Sequence, residues 1–405
     1  MRQSLLRKES FGGTLLLSSD GRREYISPEE FELVAACRSL SETLARALAV
    51  PVESVRVVSP PYLPSDNFSA PDKIFLELTR ACNLTCVHCF NNSGKPLPEQ
   101  LTHGELTMVV EDLAQSGVQE VRFTGGEPTM HPHLIELITQ ASVLGMRVSI
   151  GTHAGLINPR RAKKLAGAGL DSAVVSLDGL EDDHDRIRGL GAFRATMDGL
   201  EALMDAGVRV RVNSVLMRST LDSTVALTAL LVSRDIHVML RRYIPAGRAT
   251  RTASEMLTAE EYGDLKQRLN ELFKERRYLV DGHYLGTGRE GGGKQATPRY
   301  SPPFSVKSCS AGHRGGVILP TGHVQTCGFL APLGELSVGK VPQETFSEIW
   351  RRLNESNHIK ILESKLGPHN ATTLGPKTNC LAIATGSSSK SELIQIRGAR
   401  QRDSR

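Results

Sequence analysis

Ile74-Phe75-Leu76-Glu77-Leu78-Thr79 is separated by only two residues from Cys82-Asn83-Leu84-Thr85-Cys86-Val87-His88-Cys89-Phe90. The first run is apolar and β-prone and reads as a buried strand, which places the second on the loop at that strand's C-terminal end. That edge is where parallel α/β folds keep their chemistry. Cys82, Cys86 and Cys89 follow one another at intervals of four and three residues, so all three can point at one metal cluster. Thiolates at this spacing fill three corners of a 4Fe-4S cube and leave the fourth iron open to a substrate or cofactor. A zinc site completed by His88 or His103 is the alternative that spacing leaves standing.

Outward from this loop, residues 72 to about 280 alternate between strands and helices. The pattern predicts helix Gly104 to Gln115, strand Glu120 to Thr124, helix His133 to Leu144, strand Arg147 to Ile150 and helix Pro159 to Ala166. Strand Ser172 to Leu177, helix Arg194 to Ala206, strand Val208 to Val215, helix Asp222 to Ser233 and strand His237 to Arg241 complete six βα units. Parallel strands joined by right-handed crossovers give an α/β fold, a partial (βα)6 barrel whose active face is the C-terminal ends of its strands. Glu260 to Arg276 adds one amphipathic helix, and the core is expected to span 72–285.

Residues 1–55 read as a small α+β module. Thr14 to Ser18 and Glu24 to Ile26 form a hairpin around Asp20-Gly21, and Ser27-Pro28-Glu29-Glu30 opens a helix with a capping box. A second helix covers Glu42 to Ala49, and Cys37 is expected to be a buried small hydrophobe. Pro51 to Pro71 is proline-rich and reads as a stiff linker, with 56–71 as the stretch between the two domains. Towards the C-terminus, the glycines of 286–293 form a connector, and Gly316 to Leu319 with His323 to Cys327 form a second hairpin. Phe346 to Trp350 opens a helix, and 386–405 is Ser- and Arg-rich without apolar period and reads as disordered.

The chain of 405 residues, 40% hydrophobic, can bury two or three cores. Its net charge of +5 owes +3 to the last twenty residues, so the rest is near neutral and offers no basic, aromatic-interleaved groove for nucleic acid. Neither an 18-residue apolar run nor a signal-peptide pattern occurs, so no membrane association is expected and the cytoplasm is the default. Seven cysteines in such a chain favour metal or redox chemistry over disulfides.

Cys82-x3-Cys86-x2-Cys89 followed by Phe90 resembles the signature of the radical S-adenosylmethionine (radical SAM) superfamily. Thr124-Gly125-Gly126-Glu127-Pro128, one βα unit later, is similar to that family's glycine-rich motif; there glycines admit close approach of a ligand and Glu127 would cap an ammonium group. Ser176-Leu177-Asp178-Gly179 and His184 to Gly189 resemble its fourth-strand loop, where Ser176, Asp178 and Arg188 would hold the methionine and ribose parts of the cofactor. Arg241 to Ala249 resembles the sixth-strand exit of its peptide-modifying branch. Cys309, Gly322 and Cys327 match the opening of a SPASM extension, the auxiliary-cluster region of that branch, over 305–380. Only Cys380 follows, so the pattern is incomplete: one auxiliary cluster with a non-cysteine ligand, loss of that site, or an altered C-terminal end all remain open.

The resemblance implies a 4Fe-4S cluster and S-adenosylmethionine as cofactors, with Phe90, Thr124, Gly125, Gly126 and Glu127 beside them. It implies reductive cleavage to a 5′-deoxyadenosyl radical that takes hydrogen from a ribosomally made peptide, as in pyrroloquinoline quinone and mycofactocin peptide maturases. A flavodoxin- or ferredoxin-type donor would supply the electron. The N-terminal module is similar in plan to modules that bind a leader peptide at a sheet edge. The alternatives are a sulfatase-maturing or cofactor-building enzyme of the same superfamily, and a non-catalytic iron-sulfur or zinc protein.

Overall fold

The computed structural model describes residues 3–18, 22–281, 300–303, 311–329 and 337–355. The turn at Asp20-Gly21, the 286–293 connector, Cys309, Cys380 and the 386–405 tail lie outside them.

The N-terminal part comprises β1 (Ser4–Glu9), β2 (Gly12–Leu16), β3 (Arg23–Ile26), α1 (Pro28–Cys37), α2 (Glu42–Leu48) and β4 (Val55–Val58). Its sheet runs β3-β2-β1-β4, with β4 parallel to β1 and the others antiparallel. The capping box at Ser27 and Glu30 is formed, and Phe31 and Val34 of α1 close a separate core with Leu6, Leu15 and Ile26. Cys37 is exposed rather than buried, because it ends α1 on the side away from that core. The expected linker at 56–71 is also corrected. Its start is strand β4, and Phe68, Ser69 and Ala70 are buried, with Phe68 among the rings of Phe11 and Tyr25 and the guanidinium groups of Arg7 and Arg314.

The barrel follows as β5 (Lys73–Thr79), α3 (His103–Gln115), β6 (Glu120–Gly125), α4 (Leu134–Val143), β7 (Arg147–Thr152), α5 (Pro159–Gly167) and β8 (Ser172–Ser176). It continues through α6 (Glu181–Arg188), α7 (Ala192–Asp205), β9 (Arg209–Leu216), α8 (Leu221–Ser233), β10 (His237–Arg242), α9 (Ala259–Leu272) and β11 (Val280–Asp281). Beyond it lie β12 (Gly315–Ile318), β13 (His323–Gln325), β14 (Gly339–Lys340) and α10 (Phe346–Glu355). Strands β5 to β11 are parallel and adjacent in sequence order, a partial barrel of the expected kind. Along each strand Ile74, Leu76, Val121, Phe123, Val148, Ile150, Val212 and Val238 join the helix-covered core, so the alternate residues face the lumen.

Two features were not expected. First, β12 pairs parallel with the free side of β5, from Gly315 opposite Lys73 to Ile318 opposite Leu76, and α10 packs Phe346, Ile349 and Trp350 into the barrel's own core. The described part of 305–380 is therefore a continuation of the barrel sheet, not a discrete C-terminal domain. Second, the N-terminal sheet lies across the N-terminal ends of β5 and β6. Buried Arg7 donates to Glu9 (2.6 Å), Asp72 (3.2 Å) and the Gly117 carbonyl (3.3 Å), and Gln119 donates to the Thr14 carbonyl (2.8 Å). Burial alone would raise the pKa of Asp72, but Arg23, Arg314 and Arg7 outweigh it and hold the carboxyl at about 2.

Candidate functional site

The cysteine loop leaves β5 and is held from four directions. Beneath it, Gly126 donates its amide to the Thr79 carbonyl (2.7 Å) and Glu127 to the Ala81 carbonyl (2.9 Å). A Cβ on Gly126 would stand 2.1 Å from the Ala81 oxygen, and one on Gly125, whose φ is +137°, 2.2 Å from that of Thr79. The glycines expected beside a ligand thus admit the stem of the protein's own cysteine loop.

Glu127 is fully buried. Its Oε1 accepts from the Thr129 amide (3.0 Å), the Thr129 hydroxyl (2.7 Å) and the Thr152 hydroxyl (2.7 Å), and its Oε2 from the His153 amide (3.0 Å). Both oxygens are taken up by Thr129, Thr152 and His153 rather than by open space, so in this arrangement the carboxylate is a clamp. The His153 ring, whose Nε2 lies 2.9 Å from Asn83 Oδ1, extends the clamp to the residue after Cys82.

On the next side stands Asp178, also fully buried, one residue past the hydrophobic Leu177 that follows β8. Its Oδ2 lies 2.7 Å from both His88 Nε2 and Arg188 Nε, and its Oδ1 accepts from the Val215 amide at 2.9 Å. Burial opposes the charge on Asp178, yet Arg188 and His88 drive its pKa far below the carboxylate range. Arg188 closes α6 and also points Nη1 at Cys86 Sγ, 3.8 Å away. His88 and Arg188 therefore share one buried carboxylate, which fixes both ends of the Cys86-Val87-His88-Cys89 turn.

From the β10 exit, Arg248 donates its amide to the Cys89 carbonyl (3.0 Å), Nε to the Cys86 carbonyl (3.1 Å) and Nη1 to the Ser93 carbonyl (2.6 Å). Gly247 makes room for this: a Cβ there would meet the Phe90 oxygen at 2.2 Å. Finally, the Phe90 ring packs edge-on against Phe329, with centroids 4.8 Å apart. Cys327 is thereby brought to the Phe90 side of the loop.

Cys82, Cys86, Cys89, Phe90, Asp178 and Arg188 are thus gathered at one place, with Thr124 and Ser176 at the lumen-facing ends of β6 and β8. Sequence reading missed His88 as an Asp178 partner, and His153, Asn83 and Arg248 as supports. Arg248 stood inside the quoted sixth-strand motif, but nothing in the sequence shows that its side chain crosses to the cysteine loop.

The donor set suits a cluster. Cys82 Sγ accepts from the Leu84 amide and Cys89 Sγ from the Ser93 amide, both at 3.4 Å, and such N–H···S contacts favour cluster-bound thiolate. With no cation beside it, the Cys82 thiol is pushed up to about 11 by burial first, then by Glu127 and the other two cysteines. A bound cation reverses that order and deprotonates the thiol. Of the histidines that could complete a zinc set, His88 turns Nε2 to Asp178 (2.7 Å) and His103 turns Nε2 to Glu136 (3.1 Å).

The sequence profile of the radical SAM superfamily matches residues 76–232. An AdoMet-dependent heme synthase of Oleidesulfovibrio alaskensis is 32% identical over 290 residues, covering 68% of this chain and 73% of that one. The mycofactocin maturase MftC of Mycolicibacterium smegmatis is 29% identical, covering 70% of each. Among solved structures, SuiB of Streptococcus suis bound to S-adenosylmethionine superposes with a TM-score of 0.67 at 16% identity, over 98% of this chain and 96% of that one. That likeness carries the fold. SuiB has also been solved bound to its precursor peptide SuiA.

Proposed function

This chain belongs to the radical SAM superfamily and is an S-adenosylmethionine-dependent enzyme, and on that premise we propose that it abstracts hydrogen from a peptide substrate. The observation that carries the reading is the cysteine loop itself, with three thiols on one loop that is pinned by Asp178, Arg188, Arg248 and the Gly125-Gly126 floor. Cys82, Cys86 and Cys89 would hold a 4Fe-4S cluster. When bound, the cluster supplies the electron that splits S-adenosylmethionine to give a 5′-deoxyadenosyl radical. Thr124 and Ser176 face the lumen beside the loop and would orient the cofactor, and the Phe90–Phe329 contact would exclude water from that side.

The peptide substrate is supported by the likeness to a mycofactocin maturase and to SuiB, which takes a precursor peptide. A leader would add to an edge of the N-terminal sheet, where β3 and β4 are outermost. A second reading, a cofactor-building enzyme, is favoured by the 32% identity to a heme synthase. An auxiliary cluster would use Cys327 with Cys309 and Cys380.

The test is anaerobic reconstitution with iron and sulfide, reduction by dithionite, and assay for 5′-deoxyadenosine, with Cys86→Ala as control. No 5′-deoxyadenosine from the wild type, or as much from the variant, ends the catalytic reading. Hydrogen exchange of the β3 and β4 amides on peptide addition tests the leader site, and no added protection refutes it. Iron bound by a variant lacking Cys82, Cys86 and Cys89 tests the auxiliary cluster; none bound removes it.

A further inference from the structure

A second group of metal-ligating side chains shares no residue with the cysteine loop. His103 is the first residue of α3, His133 is the N-cap residue of α4, and Glu136 lies in the first turn of α4. Helix α3 follows β5 and α4 follows β6, two parallel neighbours that end on the cysteine-loop face, so both helices start there. One carboxylate oxygen, Glu136 Oε2, lies 3.1 Å from His103 Nε2 and 3.0 Å from His133 Nδ1. The two rings stack with centroids 4.0 Å apart, and one ligand atom from each of the three residues lies within 4.8 Å of the other two.

As plain ion pairs these contacts hold little. All three side chains are partly exposed, and two imidazolium rings stacked 4.0 Å apart repel each other. Neutral imidazoles stack without that penalty and present lone pairs, which is the form that ligates a metal. A tetrahedral ion with bonds of about 2.0–2.2 Å keeps its ligand atoms roughly 3.3–3.6 Å apart. The two oxygen–nitrogen distances, 3.0 and 3.1 Å, are short of that by only a few tenths of an ångström. Two imidazoles and one carboxylate suit zinc and its first-row neighbours better than magnesium or calcium, which prefer oxygen throughout. Partial exposure of all three groups gives a hydrated ion a direct way in.

We propose that His103, His133 and Glu136 form a binding site for a divalent transition-metal ion, with the fourth position left to water. The bound ion ties the first turn of α3 to that of α4. It thereby holds the segment from Pro128 to Pro132, which leaves the buried Glu127 and enters α4. The site requires neither S-adenosylmethionine nor a peptide, so it stands apart from the reaction proposed above.

Zinc is the probe. It is titrated by equilibrium dialysis, anaerobically and at neutral pH, into full-length, cluster-loaded wild type, His103→Asn, His133→Asn and Glu136→Gln, with His323→Asn as the comparison. The wild type and His323→Asn are expected to hold one equivalent that each of the other three holds about tenfold more weakly or not at all. Zinc should raise the Tm of the wild type and not of those three, and an equal concentration of magnesium should not displace it. Carbethoxylation by diethyl pyrocarbonate, located by peptide mass, gives a reading on the wild type alone. His103 Nδ1 is buried without a hydrogen-bond partner among the described residues, so Nε2 is the nitrogen the reagent reaches. Zinc should protect His103 and leave His323 reactive. No zinc on the wild type, zinc bound equally by the three variants as it would be on free thiols, displacement by magnesium, or His103 reacting as fast with zinc as without it overturns the proposal.

Discussion

Arg188 and Asp178 meet at 2.7 Å with side chains 9% and 0% exposed, and the same guanidinium lies 3.8 Å from Cys86 Sγ. One buried pair therefore couples the β8 exit to the Cys86 thiol. Replacing Arg188 by Met leaves a buried carboxylate with only His88 and a backbone amide, which should cost about 3–5 kcal/mol in urea unfolding. Arg188→Lys should recover little, because an ammonium cannot donate to Asp178 and Cys86 from one planar fork. A loss below about 1 kcal/mol for Arg188→Met, the range of exposed pairs, would show that the pair does not hold the fold.

Glu127 gives the opposite test. If its four hydrogen bonds are its whole role, Glu127→Gln should lower stability by about 1.5–3 kcal/mol through the Oε2 contact with the His153 amide. S-adenosylmethionine affinity, read by equilibrium dialysis on protein that retains its iron, should change by less than about tenfold. A larger loss of affinity at unchanged stability would return the carboxylate to the ammonium-capping role.

Gly126→Ala places a methyl carbon 2.1 Å from the Ala81 oxygen, where no flexible side chain can yield. The stem of the cysteine loop must move, at a cost of several kcal/mol, and the iron content after reconstitution should fall with it. Full iron loading at wild-type stability would contradict this packing.

The seam between the N-terminal sheet and the barrel contributes, alongside Asp178, to the acid limit of stability. Asp72 at about 2 and Glu120 at about 2 both lie below their usual 3.8 and 4.5, because Arg23, Arg314, Arg7 and Lys73 outweigh the effect of burial. The unfolded chain therefore takes up protons first. The stabilisation is present above about pH 4.5 and is lost as the pH falls towards 2, at roughly 2–3 kcal/mol per carboxyl. Urea midpoints measured down this range should show the loss, and Asp72→Asn should shrink it; an unaltered acid limb would place the acid lability elsewhere.

The barrel was legible because each of its strands alternates with an amphipathic helix, a local pattern. Helix α6 escaped, since Glu181-Asp182-Asp183-His184-Asp185 shows no apolar period and Leu180 is no capping residue. Strand β1 escaped because its charged residues Arg7 and Glu9 are buried at the seam, so it shows no alternation of apolar and polar side chains. The placement of β12 beside β5 joins residues some 240 apart, which no window along the chain reveals. At the site, residue types predicted where the loop would be and left iron-sulfur and zinc both open. They did not predict that Gly125, Gly126, Glu127 and Asp178 would serve the loop's shape, because a ligand and a neighbouring backbone ask the same thing of a glycine or a buried acid.

The contact between Phe90 and Phe329 has a bearing on how the enzyme is made. About 240 residues separate the two rings, so a ribosome adding about 5–20 residues per second needs roughly ten to fifty seconds after synthesising the cysteine loop before its last wall exists. During that interval three reactive thiols stand on an uncovered strand end, open to oxidation and to adventitious metals.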